Sequence, residues 1–227
     1  YQLKSELLRA AADGTGGLAA SMQAGAARMQ RSGELPLLGF GEQLVEQLVE
    51  PLVLQLEQYQ QRLAALTPDE TPVMLEASLE GVGLQSWLGG IHREAANKSP
   101  VVVPLLVTGP LRDKRKQWRW SALLRPVFNH VLLHAAGVEA VTEMYAEDGW
   151  VRLSSLPQEQ ATTQLNNWLA AWQEGMQQPL PVAFATAMEW LRMEASGKEE
   201  TQCYDAALAV YEGSYQISGE RDREAVL

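Results

Sequence analysis

The sequence predicts a mixed α/β fold of the α+β kind, in which a mixed sheet is flanked by helices. Two changes in hydrophobic spacing carry this prediction. Apolar residues recur at intervals of four and three before residue 70, and the interval becomes two at Val73. The helical interval returns at Leu123 and again after Pro157. We therefore expect the strands to lie between residues 72 and 156, with helices on the faces of their sheet.

The composition is typical of a soluble globular protein. The chain has 227 residues, of which 46% are hydrophobic, and a formal net charge of −10. This length allows one large or two small cores. We predict a helical segment at 1–70, an α/β core at 71–195 and a C-terminal helical extension at 196–227.

The single cysteine and the short apolar runs indicate where such a chain resides. Cys203 has no cysteine partner within the chain, which excludes an intrachain disulfide and favours a reducing compartment. The longest apolar run, residues 101–107, is too short for a bilayer span and contains Pro104. The first residues lack the order of a signal peptide. We expect a cytoplasmic protein with no membrane partner.

The residues before position 70 predict three helices. The first covers residues 1–9, the second is alanine-rich and ends near residue 30, and a glycine- and proline-rich turn at 33–42 leads into the third. Pro51 should bend this third helix. Its apolar seam consists of Val45, Val49, Leu52, Leu56, Tyr59, Leu63 and Leu66. The seam can pack on the core of the protein itself or on a helix of another chain.

The strands are predicted from alternation and from turn residues. Alternation begins at Val73, and residues 82–91 and 101–107 read as two further strands, the second apolar enough to be buried. Residues 138–146 and 150–156 flank Asp148 and Gly149, a dipeptide typical of a hairpin turn. These segments predict a meander followed by a hairpin.

Four helices are predicted after the buried strand. The first covers residues 123–137 and the last covers residues 204–212. Between them, Ser155 should cap a helix that has Pro157 in its first turn. We expect the buried stripe of that helix to contain Leu165, Trp168, Leu169 and Trp172. Residues 175–181 end it and start a helix that contains Phe184, Met188 and Leu191.

A basic segment interrupts this acidic chain and supplies its candidate DNA-binding residues. Asp113 is the only acidic residue within it, and Trp118 and Trp120 are interleaved with the cations. The candidates are Arg112, Lys114, Arg115, Lys116, Trp118, Arg119 and Arg125. Such a segment can contact phosphates and stack on bases, or it can be only a solvated face. Strand alternation would place both tryptophans on one side, and we expect at least one to be buried.

The sequence offers no convincing catalytic or cofactor site. His130 and His134 lie one helical turn apart, a spacing that can bind a metal, but Val131 stands where a zinc-protease motif has glutamate. We expect these histidines to pack or to form hydrogen bonds. No glycine-rich phosphate loop and no nucleophile elbow occur. We therefore predict no catalytic residue, no metal and no cofactor.

Six segments together resemble the C-terminal domain of the RecC family, the gamma subunit of bacterial exodeoxyribonuclease V (the RecBCD helicase-nuclease). The resemblance spans nearly the whole sequence. Its segments are YQLKSELL at 1–8, GELPLLGFGE at 33–42, LEASLEGV at 75–82, LLRPVFNHVLLHAAG at 123–137, GMQQPLP at 175–181 and YEGSYQISGE at 211–220. The resemblance implies that this chain is a fragment of a longer one.

The resemblance also implies a restriction-endonuclease-like fold, in which strand acids and a lysine bind magnesium and activate water. Residues 101–107 contain neither a carboxylate nor a lysine. Glu76 and Glu80 share a strand face, but the paired acid and lysine of a nuclease site are missing. The implied nuclease core is therefore degenerate and inactive.

The implied function is noncatalytic. The domain would handle DNA and act as a scaffold in double-strand break repair by homologous recombination. Its implied partners are duplex DNA, unwound DNA and subunits of the RecB and RecD type, in which the activity resides. Two alternatives remain open: a residual metal-dependent DNA nuclease, and a pure subunit-docking module without DNA contact.

Overall fold

The computed structural model describes residues 4–5, 8, 18–33, 39–79, 82–94, 97–114, 116–178, 183–214 and 217–224. The chain divides into two compact units, Tyr1–Ala170 and Ala171–Leu227. The three segments predicted from the sequence remain a prediction. Within the described ranges, no helix combines the length and the apolar character needed to cross a bilayer.

The first unit is built around a five-stranded mixed sheet. In chain order its elements are α1 (Leu18–Ser32), α2 (Gly39–Ala64), β1 (Leu66–Asp69), β2 (Val73–Leu79), β3 (Val82–Leu88), β4 (Ile91–Glu94), β5 (Asn97–Leu106), α3 (Trp120–Ala135), β6 (Ala140–Ala146), β7 (Gly149–Leu153) and α4 (Gln158–Gln177). The strand order is β1-β4-β5-β6-β7. All neighbours are antiparallel except β5 and β6, which are parallel.

Helix α3 connects the two parallel strands and covers one face of the sheet. Parallel neighbours need such a crossover, and a helix usually provides it. Leu132 and Leu133 of α3 are almost fully buried against Val101 and Val103 of β5. Leu165 of α4 joins the same cluster. This apolar layer is the main core of the first unit.

The opposite face of the sheet receives α2. Side chains alternate along β6, so that Thr142 bonds to a residue of α3 while Glu143 bonds to a residue of α2. The buried Gln55 of α2 donates from its Nε2 to the carbonyl oxygens of Val107, at 2.9 Å, and Tyr145, at 2.7 Å. The predicted mixed sheet flanked by helices is confirmed.

The structure corrects two strand predictions. Leu66 continues the seam of α2 in spacing, but the helix ends at Ala64 and Leu66 is the first residue of β1. The predicted strand at 82–91 is two strands, because Gly90 adopts a positive φ of 72° and turns the chain between them. As a result β2 and β3 form a separate antiparallel ribbon, whose Leu75 packs into the core.

Several helix predictions are confirmed in part. Helix α2 continues through Pro51, and Leu52 and Leu56 of its seam are fully buried. Helix α4 begins at Gln158, and Ser155, the predicted cap, instead has its hydroxyl 3.5 Å from the Ala140 carbonyl oxygen. Trp172, predicted in the buried stripe, is 52% exposed.

Other predictions fall on or near residues that the structure does not describe. Of the first predicted helix, Lys4, Ser5 and Leu8 are described and are helical. Residues 34–38 of the predicted turn at 33–42, and Glu80, lie outside the described residues, whereas residues 39–42 already belong to α2. The side chains of Val45 and Val49 are likewise outside the description.

The second unit contains the end of α4, helices α5 (Phe184–Ala195), α6 (Glu200–Glu212) and α7 (Glu220–Glu224), and the short strands β8 (Gly213–Ser214) and β9 (Ile217–Ser218). A Cβ atom on Gly213 would clash with the backbone of Gly219. A Cβ atom on Gly219 would clash with the carbonyl oxygen of Tyr211. The Glu220 carboxylate accepts the backbone N–H groups of Ala185 and Thr186, both at 2.7 Å, and so caps α5. Gly213, Gly219 and Glu220 of the segment YEGSYQISGE therefore have structural roles.

Candidate DNA interface

The basic segment forms a short hairpin that leads into α3. We call the described residues 111–114 and 116–119 the basic hairpin. Arg112 and Trp118 form an antiparallel bridge, Asp113 N donates to Gln117 O at 2.8 Å, and Arg119 N donates to Leu111 O at 2.8 Å. Lys116 adopts a positive φ of 64°, which is uncommon for a residue other than glycine. Arg115 lies outside the described residues.

The cations of the basic hairpin are available to a ligand. Arg112, Lys114, Lys116 and, on α3, Arg125 are exposed. Within the described part of the chain, Lys114, Lys116 and Arg125 form no ion pair. The partly exposed Arg119 donates from Nη1 to the Pro110 carbonyl oxygen at 2.8 Å. Unpaired exposed cations can neutralise phosphates without first breaking an internal bridge.

Both tryptophans of the segment are exposed, so the expected burial of at least one was wrong. Trp118 is 37% exposed and Trp120 is 41% exposed. Strand alternation does not apply, because Trp118 belongs to the hairpin and Trp120 begins α3. The Arg112 guanidinium lies 4.4 Å from the ring centroid of Trp118, a cation–π contact that covers one face of the ring.

Asp148 holds the base of the basic hairpin. Its carboxylate accepts the backbone N–H of Leu111 at 2.7 Å and that of Arg112 at 2.9 Å. The neighbouring Glu147 pairs with Lys4 at 2.8 Å. The sequence identified Asp148 only as a turn residue. Its partners lie 36 and 37 residues away, so no local pattern could reveal this contact.

His130 and His134 form hydrogen bonds that tie α3 to its surroundings. Nε2 of His130 donates to the Ser154 carbonyl oxygen, and Nδ1 lies 3.0 Å from the hydroxyl of Thr142. Nε2 of His134 lies 3.0 Å from the Ala140 carbonyl oxygen. Burial, and secondarily the nearby His134, lowers the pKa of His130. Both ring nitrogens of His130 are already in use.

We expect His130 to make the fold sensitive to acid. Because its folded-state pKa is lowered, the unfolded chain binds more protons below about pH 6.5. The free energy of unfolding should fall there by up to about 1.4 kcal/mol per pH unit from this group. Urea unfolding of the wild type and of His130→Gln between pH 7.5 and 5.0 measures the slope. Parallel slopes for the two proteins would contradict the expectation.

Each carboxylate of the described central sheet forms an ion pair with an arginine. Asp69 of β1 pairs with Arg93 at 2.9 Å, and Glu94 of β4 pairs with Arg62 at 2.8 Å. Arg62 also binds Glu143 of β6 through two hydrogen bonds, of 2.8 and 3.0 Å. Strands β5 and β7 contain no acidic residue.

The ion pairs of Asp69 and Glu94 favour the charged form of these two carboxylates. The hydrogen bond from Arg93 lowers the pKa of Asp69, and that from Arg62 lowers the pKa of Glu94. Hydrogen bonds to Glu143 and Glu94 raise the pKa of Arg62. Burial, and then the neighbouring Glu143, raises the pKa of Tyr145 to about 12, and its hydroxyl donates to Glu143. A metal ion would have to compete with a guanidinium for these oxygens.

Comparison with known proteins agrees with the resemblance seen in the sequence. A family model described as the RecC C-terminal domain matches residues 1–195. RecBCD enzyme subunit RecC of Escherichia coli (strain K12) is 24% identical over 210 residues, which cover 86% of this chain but only 17% of that protein. Since the family model covers most of the sequence, the chain belongs to the family of RecC C-terminal domains.

Proposed function

We propose that this chain is a noncatalytic DNA-handling and scaffolding domain of an exodeoxyribonuclease V complex of the RecBCD type, which acts in double-strand break repair by homologous recombination. One observation carries the noncatalytic part. Asp69, Glu94 and Glu143, the carboxylates of the described central sheet, are all paired with arginine. A two-carboxylate metal site needs free oxygen ligands and open coordination positions.

The proposal includes a degenerate restriction-endonuclease-like core at residues 71–195. Helices on both faces of a mixed sheet and the α3 crossover between parallel strands support such a core. Strand β5, where the family resemblance requires an acid and a lysine near its centre, has Val102, Val103 and Pro104 there. The side chains of these residues offer no oxygen ligand to magnesium.

DNA contact is supported by the basic hairpin and its exposed cations. In an acidic chain, a confined basic surface attracts phosphates through local potential and leaves other surfaces for protein partners. The relative is described as a subunit of the RecBCD enzyme, so the proposed protein partners are subunits of the RecB and RecD type. The proposed nucleic acid partners are duplex and unwound DNA.

A docking module without DNA contact is the second candidate function. It is favoured by exposed apolar side chains in the second unit, where Leu191 is 52% exposed, Tyr204 56% and Ile217 65%. Exposed apolar side chains of this size are available for contact with a partner protein. The two candidates differ in one measurable property, which is salt-dependent binding of DNA.

The pure chain should not degrade linear duplex DNA with Mg²⁺ or Mn²⁺ present, because arginine occupies the carboxylates that would bind the ion. The measurement is release of acid-soluble nucleotides with and without a chelator. A Glu94→Gln/Glu143→Gln variant, prepared in the same way, reports any contaminating nuclease. Chelator-sensitive cleavage that disappears in this variant would establish the residual nuclease and overturn the proposal.

A further inference from the structure

We propose that Asp148 is a positioning residue that sets the orientation of the basic hairpin for DNA, and this inference rests on the proposed function. The Asp148 carboxylate accepts the N–H groups of Leu111 and Arg112, the first two residues of the hairpin, at 2.7 and 2.9 Å. Hydrogen bonds to a carboxylate are stronger than those between neutral groups. Asp148 thus fixes the backbone from which the cations extend.

The turn that carries Asp148 is a firm base. Strands β6 and β7 pair up to Ala146 and Gly149, so Glu147 and Asp148 form the complete two-residue turn. Every residue of β6 is buried. Glu147 is only 13% exposed in its side chain and is paired with Lys4. A carboxylate on such a turn has little freedom to follow the hairpin if the hairpin moves.

The hydrogen bonds from Leu111 and Arg112 to Asp148 lie where the basic hairpin leaves the core. The Leu111 side chain is buried in a cluster with Leu123 and Met144, and its carbonyl oxygen accepts the N–H of Arg119. The two ends of the hairpin therefore meet at Leu111. From Arg112 onward the described side chains at 113, 114 and 116 are exposed. The bonds to Asp148 therefore hold the backbone at the point where the exposed part of the hairpin begins.

The tip needs such an anchor because its backbone is strained. Lys116 adopts a left-handed conformation that is unfavourable for a residue with a side chain. Strained residues persist where the surrounding structure holds them in place. A glycine would remove the strain but also the charge, so lysine at this position is consistent with a need for its ammonium group.

Because Asp148 is negatively charged, a pure charge effect and a positioning role predict opposite changes in DNA affinity when it is replaced. A carboxylate beside a phosphate-binding surface repels DNA, so its removal should tighten binding if charge were its only effect. If Asp148 positions the hairpin, its removal should weaken binding despite the gain in positive charge. Asparagine keeps one acceptor oxygen and alanine keeps none. Positioning therefore predicts graded losses, whereas a pure charge effect predicts equal gains.

The experiment compares the full chain with Asp148→Asn and Asp148→Ala, using a labelled linear duplex of mixed sequence at several salt concentrations. We expect affinity losses of about threefold for Asn and about tenfold for Ala, because the loosened hairpin must be ordered on binding. The salt slope should fall in the same order. Hydrogen exchange at the Leu111 and Arg112 amides should accelerate, while exchange at Met144 in the sheet stays unchanged.

The other outcomes are distinguishable. If Lys114→Ala/Lys116→Ala weakens binding but neither Asp148 variant does, the inference fails and the proposed function stands. If the lysine variant binds DNA like the wild type, the proposed DNA function fails, and the inference fails with it. Faster exchange at Met144 in the Asp148 variants would show general destabilisation and would also overturn the positioning role.

Discussion

Replacing Arg62 with methionine should lower the free energy of unfolding by about 3 kcal/mol, near the lower end of the range for breaking a buried ion pair because Arg62 is partly exposed. The change removes both hydrogen bonds to Glu143, which is 3% exposed. A buried carboxylate without a cationic partner is costly. Urea or thermal unfolding, followed by circular dichroism, measures the loss.

The matched control is Arg93→Met, which removes the pair with Asp69. Both partners are more exposed there, at 38% and 25% of their side chains, so solvent screening should leave a much smaller effect. The double variant Arg62→Met/Glu143→Met should recover most of the stability, since it leaves no buried charge unpaired. Equal losses for Arg62→Met and Arg93→Met would contradict the view that Glu143 depends on Arg62.

Local patterns in the sequence were sufficient for most of the elements. The spacing of Leu52 and Leu56 predicted α2, the apolar run at 101–107 predicted the buried β5, and Asp148 with Gly149 predicted the β6–β7 turn. Each of these signals lies within one element. The mixed sheet followed because helical segments surrounded the strands.

Predictions failed where the outcome depended on distant residues. Leu66 fits the helical seam, but its backbone pairs with Glu94, which lies on β4. The spacing of the seam carries no information about that partner. Similarly, the alternation of apolar and polar residues at 82–91 did not reveal that Gly90 divides the segment into two strands. Gly89 and Gly90 occupy only one two-residue repeat of that alternation, so the pattern looked continuous. Pairing between strands far apart in sequence decides such cases.

In the candidate site, too, local features could be predicted from the sequence and contacts between distant residues could not. The cluster of cations at 112–125 was visible in the sequence, because like charges that are adjacent in sequence are evident without a fold. The anchoring by Asp148 and the Arg62–Glu143 pair were not visible, because their partners lie 36 and 81 residues apart. Single charged residues in a sequence do not reveal their partners. From the sequence, the prediction that the domain is noncatalytic rested on the lack of an acidic residue in the strand that became β5. The ion pairs between the sheet carboxylates and arginines add an argument that the sequence could not supply.

Replacing Lys114 and Lys116 with alanine should weaken duplex binding by roughly 30-fold at 0.15 M salt if each lysine neutralises one phosphate, and should lower the salt slope by about 1.8. Both side chains are exposed, and neither forms an ion pair within the described residues. The loss should be independent of DNA sequence, since phosphates carry none. Adding Arg115→Ala to this variant should weaken duplex binding further. Titrations at four salt concentrations give both quantities.

The control is Arg28→Ala/Lys198→Ala, which removes the same charge from exposed positions outside the basic hairpin. If the hairpin contacts DNA, this variant should keep nearly the wild-type affinity and slope, because net charge alone acts weakly at physiological salt. Assembly with the proposed partner subunits should be unaffected in both variants. Equal losses in the two would mean that only net charge matters. No loss in either would reduce the basic hairpin to a solvated face and leave the docking module as the function.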